Sequence, residues 1–228
     1  MAILPAVPTG SPSADPAAVG GIGLGTVPTQ RRAVEMRERL YAAALDEFET
    51  ETVVASRVER VVERVGTSWG TFFRYFPRKE DVLILAGVRH YREHVRPVVE
   101  DGIGDAGQPR GDIARAAFAA LARPTRSPRL HAEILYETAR FPLRFAAMLD
   151  EGERPLIALF TALMADAQQR GEVRSDVPAP ICATVLTSGV IFSSVQMLLA
   201  VDRGQLPATG LPAIADLAFE ASWTGLRR

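Results

Sequence analysis

One cysteine, one lysine and three histidines in 228 residues leave this chain few of the side chains that carry covalent, metal or acid–base chemistry. The lone Cys182 excludes an intrachain disulfide framework and fits a reducing compartment. No Gly-rich phosphate loop, H-E-x-x-H pair or G-x-S-x-G turn occurs, so the chain has no motif for nucleotide, zinc-protease or serine-hydrolase chemistry. The sequence therefore predicts neither an enzyme nor a cofactor. His90 and His94 stand four residues apart beside Glu93, but the sequence places no third ligand, and surface or packing histidines are far commoner than metal pairs. No metal is expected. A charge excess is missing too: the formal net charge is -1, so any case for nucleic acid has to be made locally.

The first thirty residues contain a single charge, Asp15, among Ala, Pro, Gly, Val and Ser, which predicts a mobile tail. They lack a basic start, and Pro5 and Pro8 interrupt any apolar stretch, so secretion is not expected and the chain is expected in the cytoplasm.

What is present is helix. A hydrophobic content of 47% is enough to bury a core. From about Gln30, Leu40, Ala43, Ala44 and Phe48 fall at i, i+3, i+4 and i+8 and form one apolar stripe. Ser56 then offers an N-cap, with Glu59 three residues on as its capping-box partner. Val58, Val61, Val62 and Val65 follow at helical spacing, which outweighs the preference of valine for strands. Gly66 can supply a left-handed turn and Ser68 a second cap. Two short helices joined in this way make a helix-turn-helix. Phe72 and Phe76 are expected in its core, leaving Trp69, Thr71, Phe73 and Tyr75 largely around the exposed side.

The local charge is basic. Arg57, Arg60, Arg64, Arg74, Arg78 and Lys79 stand against Glu59 and Glu63, and no acid occurs between Glu63 and Glu80. Exposed aromatics beside an acid-free stretch read as a DNA-contacting surface in preference to a core stripe.

These residues carry a resemblance. In register and without a gap, Ala43, Ala44, Phe48, Ser56, Val58, Val61, Val62, Gly66, Ser68, Gly70, Thr71, Tyr75, Phe76, Lys79 and Glu80 match the DNA-binding pattern of the TetR (tetracycline-repressor-like) family of bacterial regulators. Thr52 departs from the usual glycine, Arg57 from a threonine and Phe73 from a tyrosine. The resemblance implies DNA contacts through Ser56, Arg57, Ser68, Trp69, Gly70, Thr71, Phe73, Tyr75 and Lys79. Trp69, near the start of the recognition helix, would influence sequence preference, whereas Tyr75 and Lys79 would hold phosphates.

Beyond Glu80 a helix is expected to run toward Pro97, and a linker lies near Gly102 to Pro109. Further helices are expected over Asp112–Arg123, Leu130–Arg140, Leu143–Asp150, Arg154–Arg170, Pro178–Val201 and Leu211–Leu226. The uncharged stretch Val177 to Val201 is long enough to raise a membrane span. Its Thr and Ser residues and acidic ends favour burial between its own core and a partner subunit. The resemblance implies a homodimer through the last two helices and a palindromic operator. It also implies a repressor released by an unknown small apolar effector, for which His131, Tyr136, Phe141, Phe145, Met148 and Phe192 are candidate lining; the same residues also read as ordinary core. The fold class is all-α: a mobile tail over 1–30, a three-helix DNA-binding domain with helix-turn-helix over 31–79, and a helical effector-binding and dimerisation domain over 80–228. The competing reading is a dimeric helical interaction module with degenerate DNA binding.

Overall fold

The computed structural model describes residues 31–208 and 211–227, so the tail expected over 1–30 lies outside the described residues. Among those described there is no strand, and a single isolated bridge pairs Val173 with Arg227. Among the described residues eleven α-helices follow one another: α1 (Arg31–Thr50), α2 (Val58–Val65), α3 (Trp69–Tyr75), α4 (Asp81–His90), α5 (Arg96–Gly104), α6 (Arg110–Ala122), α7 (Pro128–Arg140), α8 (Pro142–Ala147), α9 (Leu156–Gln169), α10 (Ala179–Asp202) and α11 (Leu211–Thr224).

Two apolar clusters organise them. The first, the head, gathers Leu40, Ala44 and Phe48 of α1, the four valines of α2, and Phe72, Tyr75 and Phe76. Val82, Leu83, Leu85 and Ala86 of α4 and Leu130 and Ile134 of α7 close it. The second, the body, starts from Ile84 and Val88 on the opposite side of α4 and continues through α5, α6, α7, α9, α10 and α11. Helix α4 thus contributes to both cores, which ties the orientation of the head to the packing of the body.

The connecting helix does not stop at Pro97. A π-helical turn over Tyr91–Val95 carries α4 directly into α5, with Pro97 in the first turn of α5. A proline ring clashes with the carbonyl four residues back, here that of Glu93, and the wider turn lies across that carbonyl.

The start of α2 also differs from the expectation. Its N-cap is Arg57, with no side-chain cap bond, while the buried Ser56 hydroxyl donates to Val53 O at 2.8 Å. Thr52 displaces it: the Ser56 amide bonds Thr52 O, and Thr52 Oγ1 accepts from the Ala55 amide, so a hydroxyl turn closes where glycine was the expected residue. At the other end of α2, Gly66 takes φ 71°, its amide bonds Glu63 O, and the Thr67 amide bonds Val62 O. This paired arrangement ends the helix within one residue, and the positive φ explains the glycine.

Helix α10 is long and apolar enough to cross a bilayer by composition, but in the fold it packs on α7, α9 and α11. Its approach to α11 is close, since a Cβ at Gly189 would lie 3.0 Å from Ser222 Oγ.

Candidate nucleic-acid interface

The head holds α3 by one face. Ser68 caps it, accepting from the Thr71 amide at 3.2 Å, and its hydroxyl meets Thr71 Oγ1 at 2.9 Å. Phe72 and Phe76 are fully buried, as the spacing predicts. Tyr75 is not on the exposed side: it is 8% exposed, and Arg74 donates to its hydroxyl at 3.4 Å. Positions 72, 75 and 76 stand at i, i+3 and i+4 and share one face, so Tyr75 joins the core with Phe72 and Phe76.

Trp69 is 56% exposed and does not hang free. Its ring meets Phe73 edge-on at 4.5 Å, and Phe73 in turn meets the buried Phe72 at 5.2 Å. The three rings form a chain from core to surface that restricts the orientation of the exposed indole. Gly70 lies beside it, exposed, with open space where a Cβ would project.

The lysine has a structural task. Lys79 Nζ donates to Val54 O at 2.9 Å and to Ser56 O at 3.2 Å, fastening the turn before α2 to the start of α4. No carboxylate pairs with it among the described residues, so its charge is left unneutralised. Arg57 is exposed in the same turn. Ser56, by contrast, is buried with its hydroxyl satisfied within its own turn, which removes it from the exposed set.

The six side chains expected to line an effector pocket do not converge. Phe145 is packed against Tyr91 in the body core at 5.5 Å between rings, while Tyr136 and Phe192 are exposed on different helices. Met148 packs against both cores, and Phe141 lies at the corner between α7 and α8. Only His131 lines a cavity of about 260 Å³, which lies at the junction of head and body. Tyr41, Leu45, Arg89, His90 and His94 form much of the remaining wall. All three histidines of the chain meet there, with His90 centred 4.9 Å from both His94 and His131. His131 Nε2 donates to Leu121 O at 2.9 Å and His90 Nε2 to Ala120 O at 3.0 Å, because a carbonyl can only accept. Burial holds the His131 imidazole well below its ordinary value, at about 4, and pushes His90 down as well. Among the described residues no three His, Cys, Asp or Glu side chains stand ready to hold a metal ion.

Comparison with known proteins agrees with this architecture. Residues 40–86 match the family model described as bacterial regulatory proteins, tetR family. The head is a TetR-family domain. Solved structures extend the likeness beyond this TetR-family head to the fold of most of the chain. The FadR transcriptional repressor of Thermus thermophilus, solved with lauroyl-CoA, superposes with a TM-score of 0.63 at 23% identity, over 84% of this chain and 96% of that one. The fatty acid degradation regulator FadR of Bacillus halodurans gives 0.61 at 14%, over 84% and 97%. SmeT, the repressor of a Stenotrophomonas maltophilia multidrug efflux pump, gives 0.53 at 19%, over 84% and 90%. No curated relative matches the chain.

Two groups around the TetR-family head escape sequence reasoning. The histidine cluster joins α4, the π-helical turn and α7: the four-residue spacing of His90 and His94 shows in the sequence, but nothing local brings His131 to them. The second group is visible as Arg140-Phe141-Pro142-Leu143-Arg144, where arginines flank an aromatic at a helix corner. Arg78, Arg140 and Arg144 all approach the Phe141 ring, at 5.0, 5.0 and 5.9 Å from its centre.

Proposed function

We propose that this protein is a transcriptional regulator, acting as a repressor, that binds a palindromic operator as a homodimer and is released by a small effector. The observation that carries the reading is α3, pinned by Phe72, Tyr75 and Phe76 on its inner side and presenting Trp69, Gly70 and Thr71 outward. A helix fixed in this way can enter the major groove with its early residues at base edges. Trp69 supplies an apolar surface such as a thymine methyl accepts, and Thr71 a hydroxyl for a base or phosphate. Arg57, Lys79 and the flanking arginines supply phosphate contacts, which carry most of the affinity and little of the specificity.

Two consequences separate these roles. Duplexes enriched from random DNA serve as probes in fluorescence anisotropy titrations. Lys79→Ala is expected to weaken binding to all of them alike and to reduce the salt slope by roughly 0.9 for each phosphate that is no longer neutralised. Trp69→Ala is expected to change the ranking of the duplexes. Unchanged affinity and ranking in both variants would remove the assignment of α3 as the reading helix.

Dimerisation is proposed through α10 and α11. On α10, Ile181, Val185 and Phe192 face outward at 53, 53 and 56% exposure, and Leu217 on α11 reaches 69%. Apolar side chains of this size along two adjacent helices suit a two-fold partner, which sets two heads on one side of a duplex. Phe192→Glu should convert a dimer to a monomer in sedimentation velocity and abolish tight operator binding; a dimer that persists would place the interface elsewhere.

For the effector we propose the junction cavity. A ligand between head and body can favour one head orientation over another, which is what release from DNA requires. Its wall mixes imidazole and guanidinium groups with apolar side chains, which suits a more polar ligand than the apolar one suggested by the six dispersed residues. Calorimetric titration of candidate effectors into free and operator-bound protein should give weaker binding to the bound form. Equal affinities would rule out the coupling.

A further inference from the structure

We infer that the DNA-binding surface does not end with the head: the corner between α7 and α8, built on Phe141, forms a second phosphate-contacting patch on the body. The inference rests on the DNA-binding reading of the head and adds the body as a partner to it.

The patch is made where two distant parts of the chain share one aromatic ring. Arg78, in the segment between α3 and α4, and Arg140, at the end of α7, each place a guanidinium 5.0 Å from the centre of Phe141. Bringing like charges to one ring is costly unless the ring face and nearby acids compensate, and both do so here. Arg78 lies 3.5 Å from Glu80, and Arg140 lies 3.5 Å from Glu137, with both arginine side chains substantially exposed at 40 and 55%. Both guanidiniums face solvent and both bonds are long, although Glu137 itself is buried, so a phosphate can approach either guanidinium from the open side. Arg144 is different. It is committed to the buried Asp81, which also accepts the Arg78 amide at 2.9 Å, and this pair fixes the corner against the start of α4.

The position is what assigns the partner. Arg78 is the immediate neighbour of Lys79, whose ammonium reaches the carbonyls of Val54 and Ser56 at the entrance of α2. Arg74, at the end of α3, has only the Tyr75 hydroxyl and ring as near partners and no carboxylate among the described residues. Arg74, Arg78 and Lys79 thus follow one another along the chain from the end of α3, and Arg78 shares the Phe141 ring with Arg140 of the body. Helix α7 is also tied to the same side of the head further back, where Glu133 Oε2 accepts the Val53 amide at 3.0 Å. A duplex seated on α3 meets its backbone along this run, and the guanidinium of Arg140 extends the interface past the phosphates held by the head. Because Arg140 belongs to the body, its phosphate contact would also make affinity depend on how the head is set against it.

The test uses the full chain and a 30-base-pair random-sequence duplex, with affinity measured against salt concentration for wild type, Arg140→Gln and Glu137→Gln. Arg140→Gln should lower the salt slope by roughly 0.9 per protomer and weaken binding at low salt. Glu137→Gln removes the acid competing for Arg140, so it should strengthen binding; a change that merely loosened the fold would weaken it. Thermal melts of both variants establish that the chain is folded. If wild type binds with a steep salt slope and neither variant shifts it, the body patch is wrong and the head reading survives. If wild type shows no salt-dependent binding to this duplex or to any selected one, both fail together.

Discussion

Replacing Asp81 by alanine should lower folding stability by about 3–5 kcal/mol, the usual consequence of removing one partner from a buried charged pair. The Asp81 side chain is 1% exposed, at the first position of α4. One oxygen meets the Arg144 guanidinium of α8 and the other accepts the Arg78 amide at 2.9 Å. Its removal leaves Arg144, whose side chain is 20% exposed, without this counter-charge, and it frees the segment that leads from α3 into α4. The loss should appear as a fall in the urea midpoint with little change in slope. Arg144→Leu alone should also destabilise, since it leaves the carboxylate buried and unpaired. The double variant should recover much of the loss, because an apolar replacement of both partners is often close to neutral. Additive losses in the double variant would show that the pair does not join head to body as a unit. Operator affinity should fall in Asp81→Ala even at temperatures where the protein remains folded, because the start of α4 sets the position of Arg78 and Lys79.

Acid should destabilise the protein over a defined range. The His131 imidazole is held neutral in the fold to about pH 4, against about 6.5 for an ordinary histidine. Between those values the unfolded chain binds a proton that the folded chain does not, so stability falls as pH drops from about 6.5 to about 4 and this contribution levels off below. A gap of that size corresponds to about 3 kcal/mol. His90 is displaced in the same direction by burial and by His94, and adds to the loss. The groups facing the cluster across the cavity are Arg89, which is paired with Glu38 at 2.5 Å, Arg126, paired with Asp46 at 3.1 Å, and Glu93 on the π-helical turn. Chemical denaturation at a series of pH values measures the effect. His131→Gln keeps a donor for Leu121 O but does not titrate, so the steep limb between pH 6.5 and 4 should flatten in it. An identical limb in the variant would assign the acid sensitivity to other groups.

The helix-turn-helix is legible in the sequence because local rules fix it. Valines at helical spacing, a glycine in the left-handed region and a serine with a free amide three residues on leave little choice of geometry. Tyr75 departs from the expected exposure because positions 72, 75 and 76, at i, i+3 and i+4, share the inner face of α3. Ser56 departs from its expected capping role because the turn closed by Thr52 leaves it one residue ahead of the N-cap Arg57, with its hydroxyl bonded to Val53 O. The dimensions of the body helices follow from proline and glycine punctuation. Their mutual packing does not, because apolar side chains such as Phe145 and Phe192 carry no sign of which turns inward to Tyr91 and which lies exposed. The histidine cluster and the arginines around Phe141 are hidden for a related reason: each joins residues separated by tens of positions, and only the packing of α7 on α4 brings them together.

If α3 reads DNA in a protein that carries two heads, the reading must show in the sequences the protein selects. Selection from random duplex DNA, run in parallel with wild-type protein and with Trp69→Ala, measures this. Wild type should enrich a palindrome whose half-sites are spaced for two heads, and Trp69→Ala should enrich a sequence changed at the same positions in both half-sites. A wild-type pool with no enriched palindrome would contradict it and favour a helical interaction module that has lost DNA reading.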